Sequence, residues 1–326
     1  MRRVNNPQLP TIKQGYPGNK VVQGRFMNEY EGPRKTSARE VIRWMFTNKE
    51  HRALLRAHGN EQLRVHPLKR LPPKSKDSIT WLGHASFLVT ISGERFLIDP
   101  HLTSFFPIKR YAQAPITPEG LGTIDYTLIS HGHRDHLDKK TIKRLRTKKI
   151  LVPLGAKKLV ERWNKQAVVE AAGWWQQYTT SEHVKAYFLP AYHWHARGFF
   201  DKNKMLWGSL IIQANGKSVY YAADTGYSDH FKDISKQFGK IDACIMPTTL
   251  YKPDDIMAAD HMPIKDSIKA FDILKGELFI PMHYATLKIG GAGVGSTKYE
   301  TERLFNQRKR KTGALRFMDV GETTYF

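Results

Sequence analysis

Residues 126–138 read YTLISHGHRDHLD. A short apolar stretch, Tyr126 to Ile129, runs directly into His131, His133, Asp135 and His136, four metal-type ligands within six residues. Such a string arises by chance in a chain of this length about once in a thousand, so it is far more specific than an isolated pair of histidines. The ordinary reading, surface histidines in a polar loop, does not account for the spacing. In an extended stretch alternate residues point the same way, so His131 and His133 can offer imidazoles to one cation, while a turn through Arg134 redirects Asp135 and His136 to a second. Gly132 is expected to supply backbone angles that a tight ligand loop needs. Two ions about 3.5 to 4 Å apart, sharing a hydroxide, would make a nucleophile at neutral pH and clamp a leaving oxygen.

Two ions need more ligands than one loop carries, and the rest of the chain offers them. His193 follows the predicted strand Val184 to Leu189, Asp224 ends Val219 to Ala223, and His283 ends Leu278 to Met282. Singly, each has an everyday alternative: a packed aromatic, a turn former before Gly226, a satisfied core histidine. Jointly they complete a binuclear set. Further strands are predicted at Ile79 to Leu82, Ser86 to Ile91, Glu94 to Asp99, Lys149 to Val152, Met205 to Gln213 and Ala243 to Met246. Helices are predicted at Lys139 to Arg146, Gly155 to Asn164 and Ile264 to Leu274, giving a mixed α/β architecture with no internal repeat at the level of motif strings.

Composition bounds the function. The 326 residues carry 52 Lys and Arg against 30 Asp and Glu, a net charge of +22, and a single cysteine, Cys244, which excludes an internally disulfide-stapled scaffold. No run approaches the roughly 18 apolar residues of a membrane span, and Arg2 and Arg3 lead into Asn, Pro and Gln with no apolar signal-peptide core, so a cytoplasmic location is expected. Residues 1–76 hold 17 basic and 5 acidic side chains, a net of +12. They read as a basic arm that packs on the main domain, with one helical stretch from Ser37 to Ala57 and the connector KRLPPKSK at 69–76, set apart from the ligand-bearing region. Such charge favours phosphate-bearing polyanions, nucleic acid or anionic lipid, without choosing between them. The basic runs at 139–149 and 308–311 read as solvated surface.

The motifs Trp81-Leu82-Gly83-His84-Ala85, Leu97-Ile98-Asp99-Pro100, the His131 loop, His193-Trp194, Leu206-Trp207-Gly208-Ser209, Ala223-Asp224-Thr225-Gly226-Tyr227 and Met282-His283 together resemble the metallo-β-lactamase superfamily of binuclear metallohydrolases. Within it the chain is similar to the branch containing N-acyl-phosphatidylethanolamine-hydrolysing phospholipase D and its bacterial relatives. The resemblance implies a four-layered αββα sandwich over residues 77–326. It implies that His131, His133 and His193 bind one zinc, that Asp135, His136 and His283 bind a second, and that Asp224 bridges them. His84 and Asp99 would orient the ligands from behind, while Asp135 and His261 would take part in catalysis, His261 beside the substrate head group. Two zinc ions per chain are implied; a thiolate-free ligand set also suits iron or manganese.

The implied activity is phosphodiester hydrolysis of the phospholipase D type on a phospholipid, with peripheral contact between the basic arm and an anionic membrane. A lactonase or other small-ester hydrolase is the first alternative. A nuclease ranks lower, because no nucleic-acid module is recognisable, and so does a non-catalytic metal-binding regulator, because all seven ligand positions are filled. A homodimer is left open. Several features depart from the family pattern. Asp254, Asp255 and Ile256 follow Tyr251, Lys252 and Pro253 where a basic and an aromatic residue are usual, and the glycine-rich stretch Ile289 to Thr297 reads as a mobile rim loop. His195 reads as a surface histidine or an accessory proton donor, and Arg197 as a partner for a substrate phosphate or for an acidic side chain.

Overall fold

The computed structural model describes residues 1–33, 37–47, 49–58, 61–104, 110–248, 258, 261–287 and 294–326. Tyr251 to Ile256, and 289–293 of the glycine-rich stretch, lie outside them.

The chain begins with a small antiparallel sheet of β1 (Arg2–Val4), β2 (Asn19–Val22) and β3 (Arg25–Phe26), then two helices, α1 (Ala38–Thr47) and α2 (Lys49–His58). Ser37 and Glu40 form a capping box at the start of α1: Glu40 N donates to Ser37 Oγ at 3.3 Å and Ser37 N to Glu40 Oε2 at 2.7 Å. The main body follows as β4 (Ser78–Gly83), β5 (Ser86–Ile91), β6 (Glu94–Ile98), β7 (Thr123–Leu128), α3 (Lys139–Arg144), β8 (Arg146–Pro153), α4 (Lys157–Trp163) and β9 (Val168–Ala172). It continues through β10 (Gln176–Tyr178), β11 (Lys185–Leu189), β12 (Ser209–Ala214), β13 (Lys217–Tyr221), α5 (His230–Phe238), β14 (Ala243–Pro247), α6 (Ile264–Ile273) and β15 (Leu278–Met282). It closes with α7 (Val294–Gln307), β16 (Ala314–Leu315) and β17 (Thr323–Tyr325).

Two seven-stranded sheets result, in the orders β17-β4-β5-β6-β7-β8-β9 and β10-β11-β12-β13-β14-β15-β16. Read in those orders, each sheet has three antiparallel pairings followed by three parallel ones. The two halves therefore repeat in topology although no motif string does.

The strand pattern shows why the sheets stack. Along β5 every residue is buried, yet Phe87, Val89 and Ile91 join one apolar cluster while Leu88 joins another. The first cluster fills the space between the sheets, where Trp81, Phe96 and Ile98 meet Phe188, Ile211 and Tyr221, and extends to Phe231, Ile268 and Phe271 from α5 and α6. The second lies under α3 and α4, with Leu97, Ile124 and Ile150 against Ile142 and Val160. Side chains that alternate between two faces, both covered, give the four-layered αββα sandwich. Burial of the roughly 150–250 Å² of each large aromatic contributes heavily to its stability. Cys244 is buried in β14, and burial pushes its thiol up.

Three expectations need correction. The strand predicted from Met205 begins at Ser209, because Trp207 turns inward and Gly208 N donates to Ser130 O at 3.1 Å instead. Val294 to Thr297 are the buried first turn of α7 and not a rim loop. Nor is the N-terminal arm remote from the ligand region: Asn28 Nδ2 donates to His193 O at 2.9 Å, and its Oδ1 accepts from Trp207 Nε1 at 3.1 Å. Among the described residues no helix is long and apolar enough to cross a membrane.

Candidate metal centre

Most of the candidate ligands stand at strand ends. Asp99 follows β6, the His131 loop follows β7, His193 follows β11, Asp224 follows β13 and His283 follows β15. Loops leaving the carboxyl ends of parallel strands gather on one rim, the usual place for a site in such a fold. The exits are sharp. His84, Asp99 and His283 have φ of 53°, 40° and 62°, and Ala223 before Asp224 has 56°. Left-handed backbone is unfavourable for these residue types, and its concentration here marks a geometry maintained by the surrounding packing.

The side chains converge as two groups. His131 Nε2 and His133 Nδ1 are 3.0 Å apart, and His193 Nε2 is 3.2 Å from the same His133 nitrogen. Asp224 Oδ2 lies 3.9 Å from both His131 Nε2 and His193 Nε2. On its other side Asp224 reaches His136 Nε2 at 3.3 Å and His283 Nε2 at 3.2 Å, which lie 3.7 and 3.6 Å from Asp135 Oδ2. Each group places its ligand atoms within 4.8 Å of one another, and Asp224 stands between them. Three imidazole nitrogens facing one point cannot all satisfy each other by hydrogen bonding, whereas one cation satisfies them together. His136 Nε2 and Asp224 Oδ1 are likewise buried, each in ion-pair contact with a neighbouring candidate ligand, at 3.3 Å to Asp224 Oδ2 and 3.2 Å to His283 Nε2 respectively. The arrangement therefore fits a pair of cations sharing the Asp224 carboxylate.

The outer faces of the rings fix their tautomers. His136 Nδ1 donates to Asp99 Oδ2 at 2.8 Å, which turns its Nε2 toward the centre. Ser130 Oγ donates to the same carboxylate and accepts from His131 Nδ1 at 2.9 Å, so Asp99 also sets His131 through a hydroxyl relay. Tyr221 OH donates to Asp99 Oδ2 at 2.8 Å and Ser130 N to Oδ1 at 2.7 Å. Asp99 thus backs the site and does not face it. His84 Nε2 donates to Asp135 Oδ2 at 3.0 Å, and its backbone N–H donates to Thr286 Oγ1 at 2.9 Å. His261 stands at the half-open side, Nδ1 3.8 Å from Asp224 Oδ2.

Electrostatics divides these histidines. Burial lowers His131 and His193 well below the usual imidazole range, and His84 and His133 to about 3 and about 4. These rings are neutral, the form a metal takes. Burial acts downward on His136 and His283 too, but Asp224 and Asp135 outweigh it, raising His136 well above its ordinary value and His283 to about 9. Burial raises Asp224, yet His136, His283 and His261 together hold it well below the carboxylate range.

All ten residues singled out as ligands, catalytic groups or backing groups are thus brought to one cleft: His84, Asp99, His131, His133, Asp135, His136, His193, Asp224, His261 and His283. Two neighbouring residues brace the ligand loop, and the surface position expected for His195 is not observed. His195 is buried, and burial lowers it to about 4; its ring lies under Gly132, where an added Cβ would come within 2.3 Å of His195 Cε1. Gly132 is thus required by close approach and not by an unusual φ. Arg197 Nη1 donates to Gly132 O at 2.7 Å and Leu137 O at 2.9 Å and so fastens both ends of the ligand loop. Ser130, Tyr221, Thr286 and Asn28 went unnoticed; only Ser130, a polar residue closing an apolar strand beside His131, gave a local signal.

Residues 94–284 match the family model described as a beta-lactamase superfamily domain. The chain is 32% identical over 236 residues to N-acyl-phosphatidylethanolamine-hydrolyzing phospholipase D 1 of Caenorhabditis elegans, covering 65% of this chain and 64% of that one. It is 30% identical over 254 residues to a metal-dependent hydrolase of Carboxydothermus hydrogenoformans, covering 75% and 97%. The chain spans less than two thirds of the length of the phospholipase D relative, and nearly all of the hydrolase. A metallo hydrolase structure from Ignicoccus hospitalis superposes with a TM-score of 0.58 at 22% identity, covering 77% of this chain and 98% of that one.

Proposed function

The chain belongs to the beta-lactamase superfamily and is a metal-dependent hydrolase of that fold, and we propose that it cleaves phosphodiesters of N-acyl-phosphatidylethanolamine-like lipids in the phospholipase D manner. The products would be an N-acylethanolamine and phosphatidic acid. The observation that carries this reading is the placement of Asp224 between two ligand groups, the layout that suits in-line displacement at a phosphoryl centre. The 32% identity to a phospholipase D supports the lipid as substrate.

His131, His133 and His193 would hold one divalent ion, Asp135, His136 and His283 a second, and Asp224 both; zinc is proposed, with iron or manganese as alternatives. When bound, such a pair activates water and neutralises charge on phosphoryl oxygens. The chain's own residues do the rest. Asp99 and Ser130 hold His131 and His136 with Nε2 turned inward. His84 steadies the Asp135 carboxylate by donating to Oδ2, and Asp135 would take part in catalysis from that fixed position. His261, on the half-open side, is placed to touch the head group as the ethanolamine oxygen leaves. The buried walls exclude bulk water and strengthen each of these interactions.

The test is phosphatidic acid release from such lipids by metal-loaded protein, with His133→Ala as control. No release above the control would refute the lipid assignment. A second reading is a small-ester or lactone hydrolase, since the same centre can serve attack at carbonyl carbon; the coverage of 97% of the metal-dependent hydrolase from C. hydrogenoformans supports a hydrolase without naming a phospholipid. Turnover of lactones in preference to phosphodiesters would establish it.

A further inference from the structure

Phe199 and Phe200 are 99% and 84% exposed, while most other large apolar side chains are buried. They tip the loop 197–204, which is held rather than slack. Asp201 Oδ1 accepts from Arg197 N at 3.0 Å and Gly198 N at 2.9 Å; Asn203 N donates to His195 O at 2.7 Å; Phe26 N donates to Asn203 O at 2.7 Å. The Arg197 guanidinium roots the loop on the ligand loop at Gly132 and Leu137, and Arg134 Nη2 donates back to Arg197 O at 3.1 Å. The loop presents two adjacent phenyl rings to solvent, and its root is bonded to the ligand loop of the metal centre.

The surroundings say what they meet. Lys202 and Lys204 are exposed on the same loop and Arg134 beside it, and Lys202 Nζ lies 5.9 Å from the Trp194 ring. The loop's one carboxylate, Asp201, is engaged with its own backbone. Trp194 in turn packs edge-on to His133 at 4.7 Å between centroids, on the side where His133 and Asp135 are less than fully buried. Aromatic tips ringed by lysine and arginine match the layered chemistry of an anionic bilayer, phosphate outside and hydrocarbon beneath.

We propose that the Phe199-Phe200 loop is an interfacial anchor that inserts into an anionic lipid surface and seats the mouth of the metal centre against the head groups. The proposal rests on the reading that the substrate is a membrane lipid. It also relocates the membrane contact, from the basic arm as a whole to one loop at the rim. Insertion of the rings holds the protein by the hydrophobic effect, and the cations bias it toward anionic lipid and make that part sensitive to salt.

The experiment uses vesicles of phosphatidylcholine with and without phosphatidylglycerol, and no N-acyl lipid, so that binding is scored apart from cleavage. Wild-type protein should sediment with the anionic vesicles, and F199S/F200S should bind at least about tenfold more weakly, given the apolar area removed. Its thermal unfolding should be unchanged, because both rings are exposed. Lys202→Ala with Lys204→Ala should weaken binding and flatten its salt dependence. A fluorophore on Phe199→Cys, Cys244 being buried, should brighten and shift to the blue on the anionic vesicles alone. F199S/F200S binding as tightly as wild type, or an unmoved fluorophore, would overturn the proposal. So would sedimentation velocity showing that the two rings hold a dimer which the double variant dissolves. Vesicle binding with no phosphatidic acid release from detergent-dispersed lipid would sustain the anchor and refute the activity.

Discussion

The Nδ1–H of His136 donates to Asp99 Oδ2 across 2.8 Å at a point where neither side chain touches solvent. Asp99 is surrounded there by four donors: Ser130 N, Ser130 Oγ, His136 Nδ1 and Tyr221 OH. An amide in its place would point an NH₂ at another donor whichever way it turned. Asp99→Asn should therefore lower metal affinity by about 10- to 100-fold, the usual cost of losing the partner that orients a ligand. Competition with a chromogenic chelator measures this; unchanged affinity would show that Asp99 does not set the ligand geometry.

Asp224 serves both ligand groups, so its loss should not behave like the loss of one histidine. Asp224→Ala is expected to lose tight binding of both ions, whereas His283→Ala should retain the one held by His131, His133 and His193. Metal content after dialysis separates these outcomes, with fewer than about one equivalent expected for the first and about one for the second.

The charge state of the centre predicts a pH dependence. Asp224 and Asp135 raise His136, and raise His283 to about 9, so without metal both rings are protonated at neutral pH. Metal must displace those protons. Apparent affinity should therefore climb as pH rises from about 6.5, the unperturbed imidazole value, toward 9, by up to about tenfold per pH unit for each proton released. In the metal-free protein the sign is opposite. Both groups have folded-state values above the unfolded one, so their stabilising contribution is complete below pH 6.5 or so and is lost as pH rises through the folded-state values, about 9 for His283. Calorimetric titration in buffers of different ionisation enthalpy counts the protons, and a pH-independent affinity would contradict the assignment.

The close approach of Gly132 to His195 gives a pairwise test. Gly132→Ala should destabilise by about 1–3 kcal/mol through overpacking and weaken metal binding, because a Cβ there would stand 2.3 Å from the His195 ring. Adding His195→Ala should restore part of both. A double-mutant cycle on thermal unfolding reads the coupling, and strictly additive effects would mean that the contact is not what demands glycine.

Arg197 should show itself in the precision of the ligand loop. Arg197→Ala removes the donors to Gly132 O and Leu137 O and should cost about 2 kcal/mol, as expected for partly buried bonds from a charged donor. Turnover should fall more than KM rises, and Arg197→Lys should rescue it little, since an ammonium lacks the planar fork.

The seven candidate ligand positions were legible because the loops that carry them follow apolar runs, and apolar runs are what a sequence displays most clearly. The His131 loop needed only its own spacing; His193, Asp224 and His283 needed the arithmetic of a binuclear centre. What stayed hidden acts across long separations. Tyr221 looks like any strand aromatic, and nothing local reveals that its hydroxyl meets Asp99, over a hundred residues earlier. Asn28 is one polar residue in a basic arm until the fold brings it to His193. His195 and Arg197 were legible as unusual residues near the site but not in their roles, because whether a side chain faces solvent or the underside of a loop is decided by tertiary packing. The twofold topology of the sheets left no trace in motif strings, because strand pairing constrains polarity and length more than residue identity.

The central claim, water attack at phosphorus in a two-metal site, is tested most directly by hydrolysis of N-acyl-phosphatidylethanolamine in ¹⁸O-water followed by mass spectrometry of the products. The account predicts one heavy oxygen in the phosphatidic acid and none in the N-acylethanolamine. Label in a released fatty acid, or no labelled phosphatidic acid from fully metal-loaded protein, would contradict it.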